Sequence, residues 1–263
     1  MIQPVLGFIV YGVHKDGLKD PMGAPFIDPK IVRNAKAALR KAGLKLVEHD
    51  VVVASKAEAH AAMRKMKVDD AVDGVVLFSG TWVWAAHLAA ALRDYAATGK
   101  GLLLWTHPGS QGWRPVGGLV MHGALLEIGV EHQFVYGDAA EQDTLDRIVS
   151  FARAAHLKNL LNGATIGGFG GRGMGQTCGV ADPSQWMRMF GVDIDSRDTT
   201  ELIRTAEKIT ARQITALEPR LKKLFGKAPE KNLVNERSIR LYLALKQLVE
   251  KEKFDFYTIQ SFP

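Results

Sequence analysis

The stretch that decides the fold is VLGFIV at residues 5–10, which is followed by DPKIVRNAKAALRKAG at 28–43 and KLVEHDV at 45–51. The first and third segments are apolar runs typical of buried strands, and the middle one carries the signals of a helix. Asp28 is suited to cap that helix, Pro29 occupies its first position, and Gly43 follows its end. This strand–helix–strand order predicts the start of a parallel sheet.

The same alternation continues along the first half of the chain. Further strands are predicted at residues 74–78, 102–105 and 133–136, and helices at 56–66, 84–97 and, more briefly, 119–128. Strands without polar alternation indicate a sheet that is covered on both faces. A helix from about residue 141 to residue 157 closes the unit, and we predict a doubly wound α/β domain, Rossmann-like or flavodoxin-like.

A second, smaller α/β domain is predicted from residue 159, so that the domains span residues 1–158 and 159–263. It begins with a strand at 164–167 and continues with a glycine-rich loop, helical segments within 200–224 and 235–253, and an apolar run at 254–259. The sequence ends at the point where that last strand would pass into a loop. We therefore expect the second domain to be incomplete at its carboxyl end, as in a truncated or split protein.

Composition excludes several classes of protein. The chain has 263 residues, 47% hydrophobic, and one cysteine, which excludes an internal disulfide framework and favours a reducing compartment. The amino terminus lacks the pattern of a signal peptide, and no apolar run reaches the ~20 residues of a membrane helix. The net charge of +6 is spread over helices instead of one face. We expect a cytoplasmic protein that binds neither membrane nor nucleic acid.

Polar and aromatic residues follow three of the predicted strands, in segments 11–17, 79–84 and 106–114. Parallel strands share a carboxyl edge, so these segments should form one binding edge. Aromatic rings there can cover the C–H face of a sugar, while polar groups bind its hydroxyls. Alternatively, Trp84 and Trp105 belong to the core and His87 lies on a helix surface. The candidate ligand-contacting residues of these segments are His14, Lys15, Trp82, Trp84, His107 and Gln111.

The glycine-rich loop contains Gly168-x-Gly170-x-x-Gly173, which imitates a dinucleotide-binding fingerprint. A true fingerprint opens a helix, whereas Gly175, Gly179 and Pro183 would interrupt one here. We predict a turned loop instead, with the next helix capped by Asp182. An NAD(P)-dependent oxidoreductase stays open as a weaker alternative.

Metal and nucleophile signals are weak. His107, His122 and His132 lack the close spacing of metal ligands. Asp198, which precedes Thr-Thr-Glu, resembles a helix start. Cys178 within the glycine-rich loop is interpreted as a small buried residue, not a nucleophile.

Two segments of the second domain carry a family resemblance. Gly171-Arg172-Gly173-Met174-Gly175 leads to DPSQWMRMFGVD at residues 182–193, then to Asp-Thr-Thr-Glu at 198–201. This order is similar to the glycine-rich loop and following elements of the L-fucose/L-arabinose isomerase family. The segments at 12–17, 79–84 and 256–260 agree in outline with its sugar-contacting loops.

The resemblance implies interconversion of aldoses and ketoses through an enediol, with Mn²⁺ bound by acidic residues and a histidine. In that family the metal ligands follow the strand matched by residues 256–260, and the active site forms between subunits. This chain would supply substrate-binding walls and would be inactive when isolated. It would work as a homo-oligomer or with a metal-bearing C-terminal half. The alternative is a non-catalytic sugar-binding or regulatory module. The resemblance adds Arg172, Met174 and Gln260 to the candidate sugar contacts.

Overall fold

The computed structural model describes residues 3–13, 28–109, 113–171 and 180–260, with residues 113 and 114 described by their backbone only. The chain divides into two compact units, residues 1–159 and residues 160–263. Each unit contains a parallel sheet with helices. The predicted α/β fold is therefore confirmed.

The first unit alternates strands and helices from its first described strand onward. A short 3₁₀ turn, Ala85–His87, precedes the third helix. The elements are β1 (Val5–Tyr11), α1 (Pro29–Lys41), β2 (Lys45–Glu48), α2 (Lys56–Val68), β3 (Gly74–Ser79), α3 (Ala89–Ala96), β4 (Gly101–Thr106), α4 (Trp113–Glu127), β5 (Gln133–Tyr136) and α5 (Gln142–Leu161).

The five strands of this unit form a parallel sheet in the order β2-β1-β3-β4-β5. This is the doubly wound order of flavodoxin-like domains. Alternate residues of β1 enter different cores: Phe8 packs on the side of α1 and α5, and Ile9 on the side of α2, α3 and α4. Because both faces are covered, the strands show the continuous apolar runs seen in the sequence.

The helix starts follow the predicted capping chemistry. The Asp28 carboxylate accepts a hydrogen bond from the Lys30 amide at 2.9 Å, and Pro29 begins α1. Ser55 and Glu58 form a reciprocal capping box at the start of α2. These contacts satisfy amide groups that have no partner inside the helix.

Several predicted elements have different bounds in the structure. The strand predicted at 45–51 ends at Glu48. The helix predicted at 84–97 begins later because the backbone of Trp84 is not helical, with ψ of 123°, and a 3₁₀ turn intervenes. The helix predicted at 119–128 begins at Trp113, so glycines that lower helix propensity lie within its first turns.

The second unit has a smaller sheet and a helical layer. Its strands pair in parallel in the order β7-β6-β8. Its core joins Phe169 to Leu202, Leu245 and Phe254. The elements are β6 (Thr165–Phe169), α6 (Pro183–Phe190), β7 (Asp193–Arg197), α7 (Thr199–Glu207), α8 (Ala211–Phe225), α9 (Leu233–Glu252) and β8 (Phe256–Ile259).

No helix among the described residues is both long enough and apolar enough to span a bilayer.

Candidate binding site at the carboxyl edge of the first sheet

The first sheet has a topological switch point between β1 and β3. These neighbouring strands pair directly, but the helices that follow them pack on opposite faces, α1 on one side and α3 on the other. A crevice forms where the chain continues from two adjacent strands toward opposite faces of the sheet. Ligands of doubly wound domains bind in this crevice. The topology therefore selects the carboxyl ends of β1 and β3 as the candidate site.

The segments that follow these two strands are fixed to each other. The Gly80 amide donates to the Tyr11 carbonyl at 2.9 Å, and the Val13 amide donates to the Thr81 hydroxyl at 2.8 Å. Val13 also packs against the Trp82 ring. Because Thr81 is buried, its hydroxyl is a structural tie between the segments and not a free ligand group.

Two tryptophans after β3 have different roles. Trp82 is 7% exposed and Trp84 is 49% exposed. Their ring centroids are 4.5 Å apart at an interplanar angle of 67°, an edge-to-face arrangement. Trp82 thus anchors the pair, while Trp84 offers an accessible aromatic surface. Trp105, by contrast, is fully buried and donates from its indole nitrogen to the Gly137 carbonyl at 3.0 Å.

His107, after β4, is held through both of its ring nitrogens. Nδ1 lies 2.6 Å from the Pro108 carbonyl, and Nε2 lies 3.1 Å from the Asp138 carboxylate. A neutral imidazole can donate to only one of these acceptors. The side chain of His107 is 10% exposed, whereas the side chain of Asp138, after β5, is 42% exposed. The polar group that this pair offers to a ligand is therefore the carboxylate of Asp138.

Two glycines allow helix α4 to pack closely against the strand ends. The Tyr11 hydroxyl donates to the Gly117 carbonyl at 3.2 Å, and burial raises the pKa of Tyr11, so the phenol stays neutral. Gly118 leaves no room for a side chain beside Thr106. The buried Thr106 hydroxyl makes no hydrogen bond to a described residue.

The other predicted contacts divide into two groups. His14, Lys15, Gln111, Arg172 and Met174 lie outside the described residues. Gln260 follows β8 in the second unit, and its side-chain oxygen accepts from the Gly171 amide at 3.0 Å. Gly170 has a φ of +94°, a conformation that favours glycine. Gln260 therefore braces the start of the glycine-rich loop.

The glycine motif lies differently from a dinucleotide fingerprint. Gly168 is within β6, not in a turn after it, and the first glycine of a fingerprint belongs in that turn. Asp182 caps the next described helix, α6, by accepting from the Ser184 amide at 2.9 Å. The predicted start of α6 is thereby confirmed.

Three acidic residues of the second unit surround one arginine. Arg197 contacts Asp195 and Glu252, each at 2.9 Å, and Glu201 at 3.5 Å. Within the described residues, no three His, Cys, Asp or Glu side chains are grouped as metal ligands. The Arg197 guanidinium occupies oxygens of these three carboxylates, so they are not arranged to bind a manganese ion, and no metal-dependent step is assigned to them.

Comparison with known proteins identifies no family, and the solved structures that it finds are only weakly similar to the chain. No protein-family model and no curated protein matches the chain. A periplasmic solute-binding protein of Actinobacillus succinogenes 130z with bound D-allose is 11% identical, with 99% of this chain and 96% of that chain covered and a TM-score of 0.31. A putative branched-chain amino acid ABC transporter of Rhodospirillum rubrum is 12% identical over 94% of this chain and 84% of that chain, with a TM-score of 0.27. For 2,3-dimethylmalate lyase the identity is 12%, the coverage 95% and 93%, and the TM-score 0.26.

Sequence reasoning missed Asp138 as part of this edge. Asp138 follows the short strand β5 and lies 31 residues after His107 along the chain. Only the parallel pairing of β4 with β5 brings the two together. A search of every predicted strand end for carboxylates would have found Asp138.

Proposed function

We propose that this protein binds a sugar at the carboxyl edge of its first sheet and supplies substrate-contacting walls to an isomerase-type site. The observation that carries the proposal is the half-exposed ring of Trp84, held edge-on by buried Trp82 at the sheet's switch point. A non-catalytic sugar-binding or regulatory module is the alternative, and it uses the same edge.

The chemistry of a sugar suits what this edge offers. A sugar ring has apolar C–H faces, which lose water favourably against an aromatic surface, and hydroxyl donors around its rim. Trp84 offers the apolar surface, and the exposed carboxylate of Asp138 accepts hydroxyl hydrogen bonds. The hydrogen bond from the Val13 amide to the Thr81 hydroxyl keeps the edge ordered before a ligand arrives, which lowers the conformational entropy lost on binding.

The first test of this proposal removes the exposed ring. We expect Trp84→Ala to weaken binding of L-arabinose or L-fucose, whichever binds the wild type, by about tenfold or more, because the stacking surface is lost. Isothermal titration calorimetry of the full chain measures the dissociation constants. Trp186→Ala is the matched control, since Trp186 is also partly exposed and packs edge-on against Phe190 at 5.5 Å. Equal affinities of the two variants, or no binding of either sugar to the wild type, would contradict the proposal.

A second test addresses the isomerase setting. In the family that the chain resembles, the metal ligands follow the strand matched by residues 256–260. We therefore expect the purified chain to form no ketose from L-arabinose or L-fucose when Mn²⁺ is added. Chromatographic assay of the ketose measures this. Turnover that disappears with a chelator would show that the chain carries its own catalytic group and that the wall-supplying role is wrong.

The cellular setting belongs to the same proposal. A cytoplasmic location is supported by the single cysteine of the chain, which fits a reducing compartment. Because the resembled family forms its active site between subunits, we also propose association with a metal-bearing partner.

A further inference from the structure

Helix α4 has an apolar face turned toward solvent. Val116, Leu119, Val120 and Leu126 are between 44% and 61% exposed. Their spacing places them along one side of the helix. The opposite side packs into the core through Met121 and Leu125.

The composition of α4 is unusual for a surface helix. From residue 116 to residue 126 the sequence is VGGLVMHGALL, in which His122 carries the only polar side chain. A surface helix of a globular protein normally has charged or polar residues on its outer side, and a helix that is apolar all round is normally buried. The outer face of α4 therefore resembles a surface that is covered in the working protein.

The size of this face matches one side of a protein interface. Its four side chains and the adjacent Ile128, which is 46% exposed, together offer apolar area on the order of 400 Å². One partner of a standard interface contributes about 800 Å², of which a little more than half is apolar. The exposed area is thus about what a stable dimer needs from each copy.

The charges at the ends of α4 favour a second copy in antiparallel orientation. Glu127 ends the helix, and no basic residue lies in the last turn. A carboxylate there is unfavourable beside the negative end of its own helix dipole but favourable beside a positive amino-terminal end. An antiparallel copy of α4 places that end next to Glu127, and a twofold axis repeats the contact. The four apolar side chains of the face carry no charge, so they bring no repulsion between two copies of a chain with net charge +6.

We propose that the outer face of α4 is a homodimer interface, in which α4 packs antiparallel against α4 of a second copy through Val116, Leu119, Val120 and Leu126. The contact is isologous, so both copies bury the same residues. It does not depend on the proposed sugar site, because it uses the outer side of α4 and not the strand ends.

Sedimentation velocity of the full chain from about 1 μM to about 100 μM tests the proposal. We expect the wild type to dimerise in this range. Leu119→Glu should weaken the dimer by about a hundredfold or more, because it buries an unpaired charge. Glu127→Lys should also weaken the dimer while leaving the monomer folded, because the lysine then faces the positive end of the partner helix. Circular dichroism confirms folding of each variant.

Val68→Glu is the matched control. Val68 ends α2 and is 71% exposed, so it carries the same change from an apolar to an acidic side chain away from α4. Its dimer should be as tight as that of the wild type. A wild type that stays monomeric over the whole concentration range overturns the proposal, as does a chain that associates only with a different protein. A dimer that Leu119→Glu leaves intact, or that Val68→Glu weakens to the same extent, also overturns it.

Discussion

Gly117→Ala is expected to destabilise the protein by about 3 kcal/mol. A Cβ atom at this position would lie 2.6 Å from the Thr81 carbonyl oxygen and 3.0 Å from the Cα of Trp82. Both are backbone atoms, so no side-chain rotation can relieve the overlap. Helix α4 must move away from the strand ends, which also breaks the hydrogen bond between the Tyr11 hydroxyl and the Gly117 carbonyl.

Helix propensity alone would predict the opposite change in the free energy of unfolding for Gly117→Ala. Alanine within a helix is favoured over glycine by about 1 kcal/mol when nothing else changes. Gly123→Ala on the same helix is the control for this effect, because a Cβ there meets no atom within 4 Å. We expect Gly123→Ala to stabilise the protein by about 0.5–1 kcal/mol. Urea unfolding of both variants at one dilute protein concentration measures the difference, and equal stabilities would show that α4 does not approach the strand ends so closely.

Gly117 also explains why the start of α4 could not be predicted from the sequence. Glycines at 117 and 118 lower the helix propensity of this segment, so the sequence predicts a helix only from residue 119. The glycines are present because the helix lies against Thr81, which follows β3, and Thr106, which ends β4. Close approach in the tertiary structure thus overrides local propensity, and nothing local in the sequence reports it.

The strands of the first sheet, unlike the start of α4, could be predicted from the sequence. Residues of β1, β3 and β4 are buried on both faces of the sheet, so their identity is set by burial alone and the apolar runs are continuous. Capping residues such as Asp28 and Asp182 were also readable, because their contacts reach only two or three residues along the chain.

The candidate site was predictable as an edge but not as a set of contacts. Chain order placed Trp82, Trp84 and His107 after parallel strands, and strand pairing then puts them at one edge. Which tryptophan is exposed depends on the non-helical backbone of Trp84 and on the packing of Trp82 against Val13. Whether the His107 ring is free depends on Asp138, which the pairing of β4 with β5 supplies. Such contacts between distant residues leave no local pattern.

Asp73 is a buried carboxylate that sequence reasoning overlooked. It precedes β3 and is 6% exposed. Its side chain accepts from the Val5 amide at 2.8 Å, from His156 Nδ1 at 2.9 Å and from the Asn159 side chain at 3.3 Å. The donors come from the start of β1 and from α5, up to 86 residues away. Asp73 therefore joins the amino edge of the sheet to the helix that closes the unit.

Asp73→Ala is expected to cost about 4 kcal/mol of unfolding free energy, because it leaves the partly buried donors of Val5 and His156 without their buried acceptor. Asp73→Asn should cost about half as much, since one oxygen can still accept. Asp69→Ala is the control: Asp69 accepts one hydrogen bond from the Ala71 amide at the surface, and its loss should cost about 1 kcal/mol or less. Urea unfolding followed by circular dichroism measures all three variants. If Asp73→Ala were no worse than Asp69→Ala, the carboxylate could not be what holds α5 against the sheet edge.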